Sequence, residues 1–178
     1  MKTNKLMKMV LIASAILCTT VVSAEEHGQN LVYLGAGSTK SDTSLKSKKT
    51  PISLGYLNIS NVSNAVLGVD VSGEGTMLDS TWGKNNSVKQ AISYNALIGR
   101  NIFKGEKSRV DATLLVGARE TFTDCPSSYL GYQCYSDKAP KTNYKVNYGA
   151  VLTGTYNSYM LGMRVTGESA QVLIGFRF

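Results

Sequence analysis

The sequence predicts an all-β protein, an eight-stranded antiparallel up-and-down transmembrane β-barrel. Polar and apolar side chains alternate at period two through most of the chain, and no helical period is sustained. The chain begins with an export signal and ends on an aromatic residue. The apolar face of its last strand consists of Ala170, Val172, Ile174, Phe176 and Phe178. These observations are typical of barrels that cross an outer membrane.

The first 24 residues have the organisation of a secretory signal peptide. Three lysines precede an apolar run over 9–18, and Ser23 and Ala24 provide a small-residue cleavage site. We expect cleavage after Ala24, which leaves a barrel domain over 25–178. The apolar run is shorter than the roughly 20 residues that a membrane-spanning helix requires, so a helical anchor is not expected.

Charge and cysteine content narrow the class of the mature chain. Three of the 19 basic residues leave with the signal, and the remaining 16 stand against 12 acidic residues, a net charge of +4. That mild excess does not predict nucleic-acid binding. Cys125 and Cys134 are the only mature cysteines, and an isolated pair in an exported protein predicts a disulfide bond. Without further ligands the pair does not predict a zinc site.

Eight windows of alternating residues are interpreted as strands. Most have the roughly 9 to 11 residues that a tilted strand needs to cross a bilayer. The windows are 30–38, 51–60, 65–75, 91–101, 109–121, 144–154, 158–166 and 169–178. Long and short gaps alternate along the chain until the last pair, where Gly167-Glu168 predicts a two-residue turn. Long external loops and short periplasmic turns alternate in the same way in outer-membrane barrels.

The alternation separates an apolar face from a polar face. In the third window Leu67, Val69 and Val71 share one face, and Asp70 and Glu74 lie on the other. A soluble two-sheet sandwich also alternates, with its apolar face inside. The aromatic C-terminus, the single tryptophan and the small or charged residues of the polar face favour a barrel with its apolar face toward lipid.

Four segments resemble a known family. They are Leu31–Gly37, Leu67–Gly75, Ala96–Arg100 and Gly175–Phe178. In these segments the chain resembles the small eight-stranded outer-membrane β-barrel proteins of Gram-negative bacteria, in particular the opacity-protein-like porin family. The resemblance implies that the last strand is the signal read by the barrel-assembly machinery, with Phe176 and Phe178 at its aromatic positions.

Charged residues on the polar face predict a network inside the barrel. Its candidate members are Asp70, Glu74, Asp111, Arg119, Arg164 and Arg177. One interpretation is a polar pathway for small solutes. The favoured interpretation is a paired network that plugs the lumen, because buried charges must be paired and eight-stranded barrels have room only for side chains.

The predicted external loops hold the candidate contact residues. The first loop carries Lys46, Lys48 and Lys49, which suit lipopolysaccharide phosphates or an anionic host surface, or form an ordinary solvated loop. The third loop holds tyrosines around the cysteine pair, either as a binding surface or as the loop's own small core. The tyrosines are Tyr129, Tyr132 and Tyr135. Trp82 in the second loop is as well suited to packing on the rim as to binding.

These features predict a non-enzymatic outer-membrane barrel whose loops serve surface interaction, adhesion or envelope integrity. The single histidine, His27, precedes the first strand, so a serine near the external loops would lack a histidine base. No catalytic residue, cofactor or metal site is predicted. The expected partners are outer-membrane lipid and lipopolysaccharide, the assembly machinery and an extracellular or host surface, but no nucleic acid. The alternative function is a narrow porin-like channel for small solutes.

Overall fold

The computed structural model describes residues 28–40, 49–78, 88–122 and 142–178. These residues form eight strands in one antiparallel sheet that closes into a barrel, with each strand beside its neighbour in sequence. The strands are β1 (Gly28–Thr39), β2 (Ile52–Ser60), β3 (Ala65–Leu78), β4 (Val88–Lys104), β5 (Ser108–Phe122), β6 (Thr142–Tyr156), β7 (Tyr159–Thr166) and β8 (Ser169–Arg177). The predicted fold class is confirmed.

The first and last strands close the barrel. Leu31 lies opposite Arg177, and the pairing continues to Thr39 opposite Ser169. Strands β7 and β8 are joined by the predicted two-residue connection at 167–168. Closure gives the backbone groups of the first and last strands hydrogen-bonding partners, which backbone surrounded by lipid requires.

The two ends of the barrel differ in their connections. One end, here called the turn end, carries the short connections 61–64, 105–107 and 157–158 together with the start of β1 and the end of β8. Asn64 and Asn157 in these turns have positive φ values of 57° and 51°, a conformation that asparagine adopts more readily than most residues. The opposite end, the loop end, carries the other four connections.

An apolar band surrounds the outer face, and all eight strands contribute exposed side chains to it. Its members include Val32, Leu34, Ile52, Leu54, Leu67, Val69, Ile92, Ile98, Leu114, Val116, Val146, Leu152, Leu161, Met163, Val172 and Ile174. A continuous exposed surface of this kind marks contact with an apolar environment, here the lipid around a transmembrane barrel. Within the described ranges, no helix has the length and hydrophobicity to cross a membrane.

Aromatic side chains border the apolar band. At the turn end five of them are exposed on the outer face: Phe103, Tyr156, Tyr159, Phe176 and Phe178. The rings of Tyr159 and Phe176 meet edge to face, with centroids 6.3 Å apart and an interplanar angle of 79°. Tyr94, Tyr144 and Tyr148 are exposed toward the loop end. Aromatic rings in these positions are typical of the two membrane interfaces of a barrel.

Candidate functional site

The loop-end half of the interior is organised around Arg164 on β7. Its Nη2 lies 2.9 Å from Asp70 Oδ1, and its Nη1 lies 2.8 Å from Glu74 Oε2. All three side chains are completely shielded from solvent. Alternation turns each of them inward, because Asp70 and Glu74 have the same parity on β3 and Arg164 faces them from the opposite wall.

Polar neighbours saturate both carboxylates. Glu74 accepts hydrogen bonds from Thr166 and Ser169 at 2.6 Å, from Ser93 at 2.7 Å and from Asn147 at 2.9 Å. These bonds leave little of its buried charge uncompensated, and charge-assisted hydrogen bonds are among the strongest in proteins.

The second carboxylate, that of Asp70, has a comparable set of donors. Tyr33 Oη and Asn95 Nδ2 each donate to it at 2.8 Å, in addition to the Arg164 guanidinium. The result is one connected group of buried polar side chains, here called the Arg164 cluster. It comprises Tyr33, Asp70, Glu74, Ser93, Asn95, Asn147, Arg164, Thr166 and Ser169.

A ring of buried apolar side chains lies between the Arg164 cluster and the turn end. Every strand contributes to this apolar ring, which consists of Leu31, Tyr33, Leu57, Ile59, Val66, Leu97, Leu115, Val151, Met160 and Leu173. Tyr33 belongs to both groups, because its aromatic ring packs in the apolar ring and its hydroxyl donates to Asp70 in the Arg164 cluster. Period-two alternation predicted an inward face of small or charged residues, and it did not predict the ring. Leu115 and Val151 belong to that inward face, so the ring adds a hydrophobic layer to the expected ionic network.

A second ion pair lies on the turn-end side of the ring. Arg109 Nε donates to Asp111 Oδ1 at 2.7 Å, and Asn101 Nδ2 donates to the same oxygen at 2.9 Å. The side chains of Arg109 and Asp111 are 3% and 0% exposed. Arg109 also reaches Asn61 in the β2–β3 turn, with Nη1 3.4 Å from Oδ1. It therefore spans part of the barrel opening at this end.

The six predicted network residues occupy four separate places. Asp70, Glu74 and Arg164 come together, whereas Asp111 pairs with Arg109 on the other side of the apolar ring. The remaining two arginines lie near the ends of the barrel. Arg119 Nη2 lies 2.6 Å from Glu168 Oε1 near the loop end, and Arg177 donates to Gln29 at 3.1 Å near the turn end.

The partners Arg109 and Glu168 were not predicted from the sequence. Arg109 has the same inward parity as Asp111, two residues later on β5, so the alternation contained a signal for it. Glu168 lies in a turn, where period-two alternation does not apply, and only the fold brings it to Arg119. Its position beside the bulge at Gly75 depends on the register of β3 against β4.

Many of the predicted contact residues lie outside the described residues. They are Lys46, Lys48, Trp82, Cys125, Tyr129, Tyr132, Cys134 and Tyr135, together with His27 and the signal over 1–24. Lys49 is described and is exposed at the loop end. Phe176 and Phe178 are 51% and 65% exposed on the outer side of the last strand and its end. The described part of the chain contains no group of three or more histidine, cysteine or acidic residues placed to hold a metal ion.

The apolar outer band and the filled interior define the class of protein, a small eight-stranded transmembrane β-barrel. Among solved structures, the chain is similar to Ail, the attachment invasion locus protein of Yersinia pestis, with 16% identity, a TM-score of 0.48, and coverage of 86% of this chain and 100% of that chain. A structure of Ail in complex with the heparin analogue sucrose octasulfate gives 15% identity, the same coverage and a TM-score of 0.48. The backbone structure of Ail in a phospholipid bilayer nanodisc gives 15% identity, the same coverage and a TM-score of 0.47. No family model and no curated protein matches the chain.

Proposed function

We propose that this protein is a non-enzymatic outer-membrane barrel whose loops serve surface interaction, adhesion or envelope integrity. One observation carries the proposal: the fully buried Arg164 is held by two carboxylates, and the apolar ring lies below it. Side chains fixed in this way occupy the space that a solute would need. The loop end is then the part of the barrel that is free to meet partners.

The outer surface supports the location in an outer membrane. A closed barrel with an apolar band and aromatic borders suits a bilayer, and the leader over 1–24 would deliver the chain across the inner membrane with cleavage after Ala24. We place the turn end in the periplasm and the loop end outside. The exposed aromatic rings of Phe176 and Phe178 are accessible to the assembly machinery, which supports their role as its signal.

Charge at the loop end supports an anionic partner. Outside the buried cluster, the described residues there carry five cationic side chains against the carboxylates of Glu120 and Glu168. The cations are Lys40, Lys49, Lys89, Arg119 and Lys145. In the predicted first loop, Lys46 and Lys48 stand against Asp42 and add to this excess. Lipopolysaccharide phosphates and an anionic host surface both offer the complementary charge.

The third loop is the candidate for specific contact. We propose a disulfide bond between Cys125 and Cys134, which would stiffen the segment that carries Tyr129, Tyr132 and Tyr135. Tyrosines supply contact area at low conformational cost and often dominate binding energy. The absence of a histidine after His27 in the sequence supports the non-enzymatic assignment, since a loop serine would have no imidazole base.

Adhesion of cells that display the barrel tests this assignment. Replacing Tyr129, Tyr132 and Tyr135 with alanine should abolish binding to host cells or to immobilised lipopolysaccharide. A matched variant in the same loop carries Ser127→Ala, Ser128→Ala and Ser136→Ala and should bind normally. Heat-modifiable gel migration would verify that both variants form the barrel. Equal adhesion of the two variants would remove the tyrosines from the proposed contact surface.

A further inference from the structure

We propose that the outer face of β5 and β6 near the turn end binds one phospholipid of the leaflet on that side. Its acyl chain would lie in a groove floored by Ala112 and Ala150, and its phosphate would meet Arg100. The inference rests on the membrane location proposed above, and it assigns a lipid class to a surface that faces away from the loops.

Small residues on two neighbouring strands create the groove. Ala112 lies between Arg100 and Leu152 in the pairing register, and Ala150 lies between Leu114 and Val165. Larger apolar side chains stand on both sides of the two alanines. The groove has a volume of about 480 Å³ and an almost entirely apolar lining. That volume falls in the range of about 300–1,000 Å³ that is typical of small-molecule sites.

A second groove continues the first toward the turn end. The next outward positions are Val110 on β5 and Gly154 on β6, which are partners in the register. A Cβ atom at Gly154 would have only the Leu161 carbonyl oxygen within 4 Å, at 3.8 Å, so the surface there is open. This groove has a volume of about 500 Å³, and Tyr156 and Tyr159 line its end. The two grooves together form an apolar surface for an acyl chain, and the tyrosines at their end can contact the polar headgroup of the same phospholipid.

Arg100 provides the charge complementarity. It is exposed on the outer face between Ile98 and Ile102, each 62% exposed, and it makes no hydrogen bond or ion pair with any other residue that the structure describes. A cation among acyl chains is unfavourable unless its long stem reaches the interface and a partner there. The phosphate of a lipid bound in the groove would be such a partner for Arg100. An apolar protein surface packed against the groove would not supply one.

Native mass spectrometry of the detergent-solubilised barrel tests the site. Titration with dioleoylphosphatidylglycerol should give one retained lipid, and the Ala112→Leu/Ala150→Leu variant should lose it because leucines fill the groove floor. The matched variant Ala36→Leu/Ala96→Leu makes the same two substitutions at outward positions on β1 and β4, outside the groove floor, and should retain the lipid. Dioleoylphosphatidylglycerol has a net negative charge, whereas the choline of dioleoylphosphatidylcholine cancels its phosphate charge, so the wild-type barrel should retain the first lipid in preference to the second. Arg100→Gln should remove that preference.

Two results would overturn the inference while leaving the barrel intact. One is equal lipid retention by the filled-groove variant and its matched control. The other is a dimer that the filled-groove variant disrupts, which would make a second copy the occupant. Recovery of the protein in the soluble fraction without detergent would instead contradict the membrane location itself, so the two failures are distinguishable.

Discussion

Arg164 and Asp70 join opposite walls of the barrel. Arg164 Nη2 on β7 lies 2.9 Å from Asp70 Oδ1 on β3, and neither side chain is exposed. Strands β3 and β7 are four positions apart in the closed eight-strand order, so backbone hydrogen bonds do not connect them. The ion pair, extended by Glu74, is therefore a tertiary contact across the lumen.

Replacing Arg164 with methionine should destabilise the barrel strongly. The change leaves Asp70 and Glu74 buried without a counter-ion, and breaking a buried pair in this way costs about 3–5 kcal/mol. Urea unfolding in detergent micelles, followed by tryptophan fluorescence or circular dichroism, would measure the loss. The triple variant Arg164→Met/Asp70→Asn/Glu74→Gln removes all three charges and should recover much of the stability. Failure of the triple variant to recover would show that the hydrogen bonds, rather than charge pairing, dominate.

The same triple variant should remain non-conducting in planar bilayers. The apolar ring below the Arg164 cluster is contributed by all eight strands and still fills the lumen when the charges are removed. Apolar constrictions exclude water and ions. Reproducible unit conductance steps in the wild-type barrel would support the narrow porin-like channel instead. Steps that appear only in the triple variant would assign the barrier to the ion-pair cluster.

Removing the turn-end cation should cost less than removing Arg164. The Arg109→Met variant leaves one carboxylate, Asp111, which keeps its hydrogen bond from Asn101 at 2.9 Å. The Arg164 variant leaves two carboxylates. The free energy of unfolding should therefore fall by less for Arg109→Met under the same micelle conditions. A larger loss for Arg109→Met would indicate that its contact with Asn61 holds the turn end together.

Gly55 makes room for the Tyr33 ring. A Cβ atom at Gly55 would overlap that ring, whose hydroxyl donates to Asp70 at 2.8 Å. Gly55→Ala should therefore lower the unfolding midpoint by more than Tyr33→Phe, which removes only a hydrogen bond to a charged group, worth about 1.5–3 kcal/mol. Gly167→Ala is the matched control, because its Cβ meets no atom within 4 Å. Similar midpoints for the two glycine variants would contradict the close packing.

Deletion of Phe178 should lower the amount of barrel in the outer membrane. The proposed assembly signal needs the terminal aromatic residue, which is exposed beyond the end of β8. Its backbone also exchanges two hydrogen bonds with Asn30, at 2.9 and 3.0 Å. Refolding of the deleted chain into micelles would separate the two contributions. Reduced membrane levels with normal refolding would support recognition, whereas normal membrane levels would refute it.

Period-two alternation determined much of the fold in advance. Each predicted strand end lies within three residues of the observed one, and the inward parity of Asp70, Glu74 and Arg164 was evident from the sequence. Side chains alternate across any strand whatever its neighbours, so the face of a residue can be inferred locally. The strand count follows from the same local rule. The direction of the apolar face does not, and it was predicted from the aromatic C-terminus, the single tryptophan and the small or charged residues of the polar face.

Only the tertiary structure decided which inward residues meet. Strand tilt and register set the height of each side chain in the barrel, and they depend on all eight pairings at once. They place Asp111 beside Arg109, and Arg119 beside Glu168. The sequence had instead predicted Asp111 and Arg119 in one network with Arg164. They also gather one or two inward apolar residues from each of the eight strands into one ring. No strand carries that pattern by itself, because the ring exists only when the sheet closes.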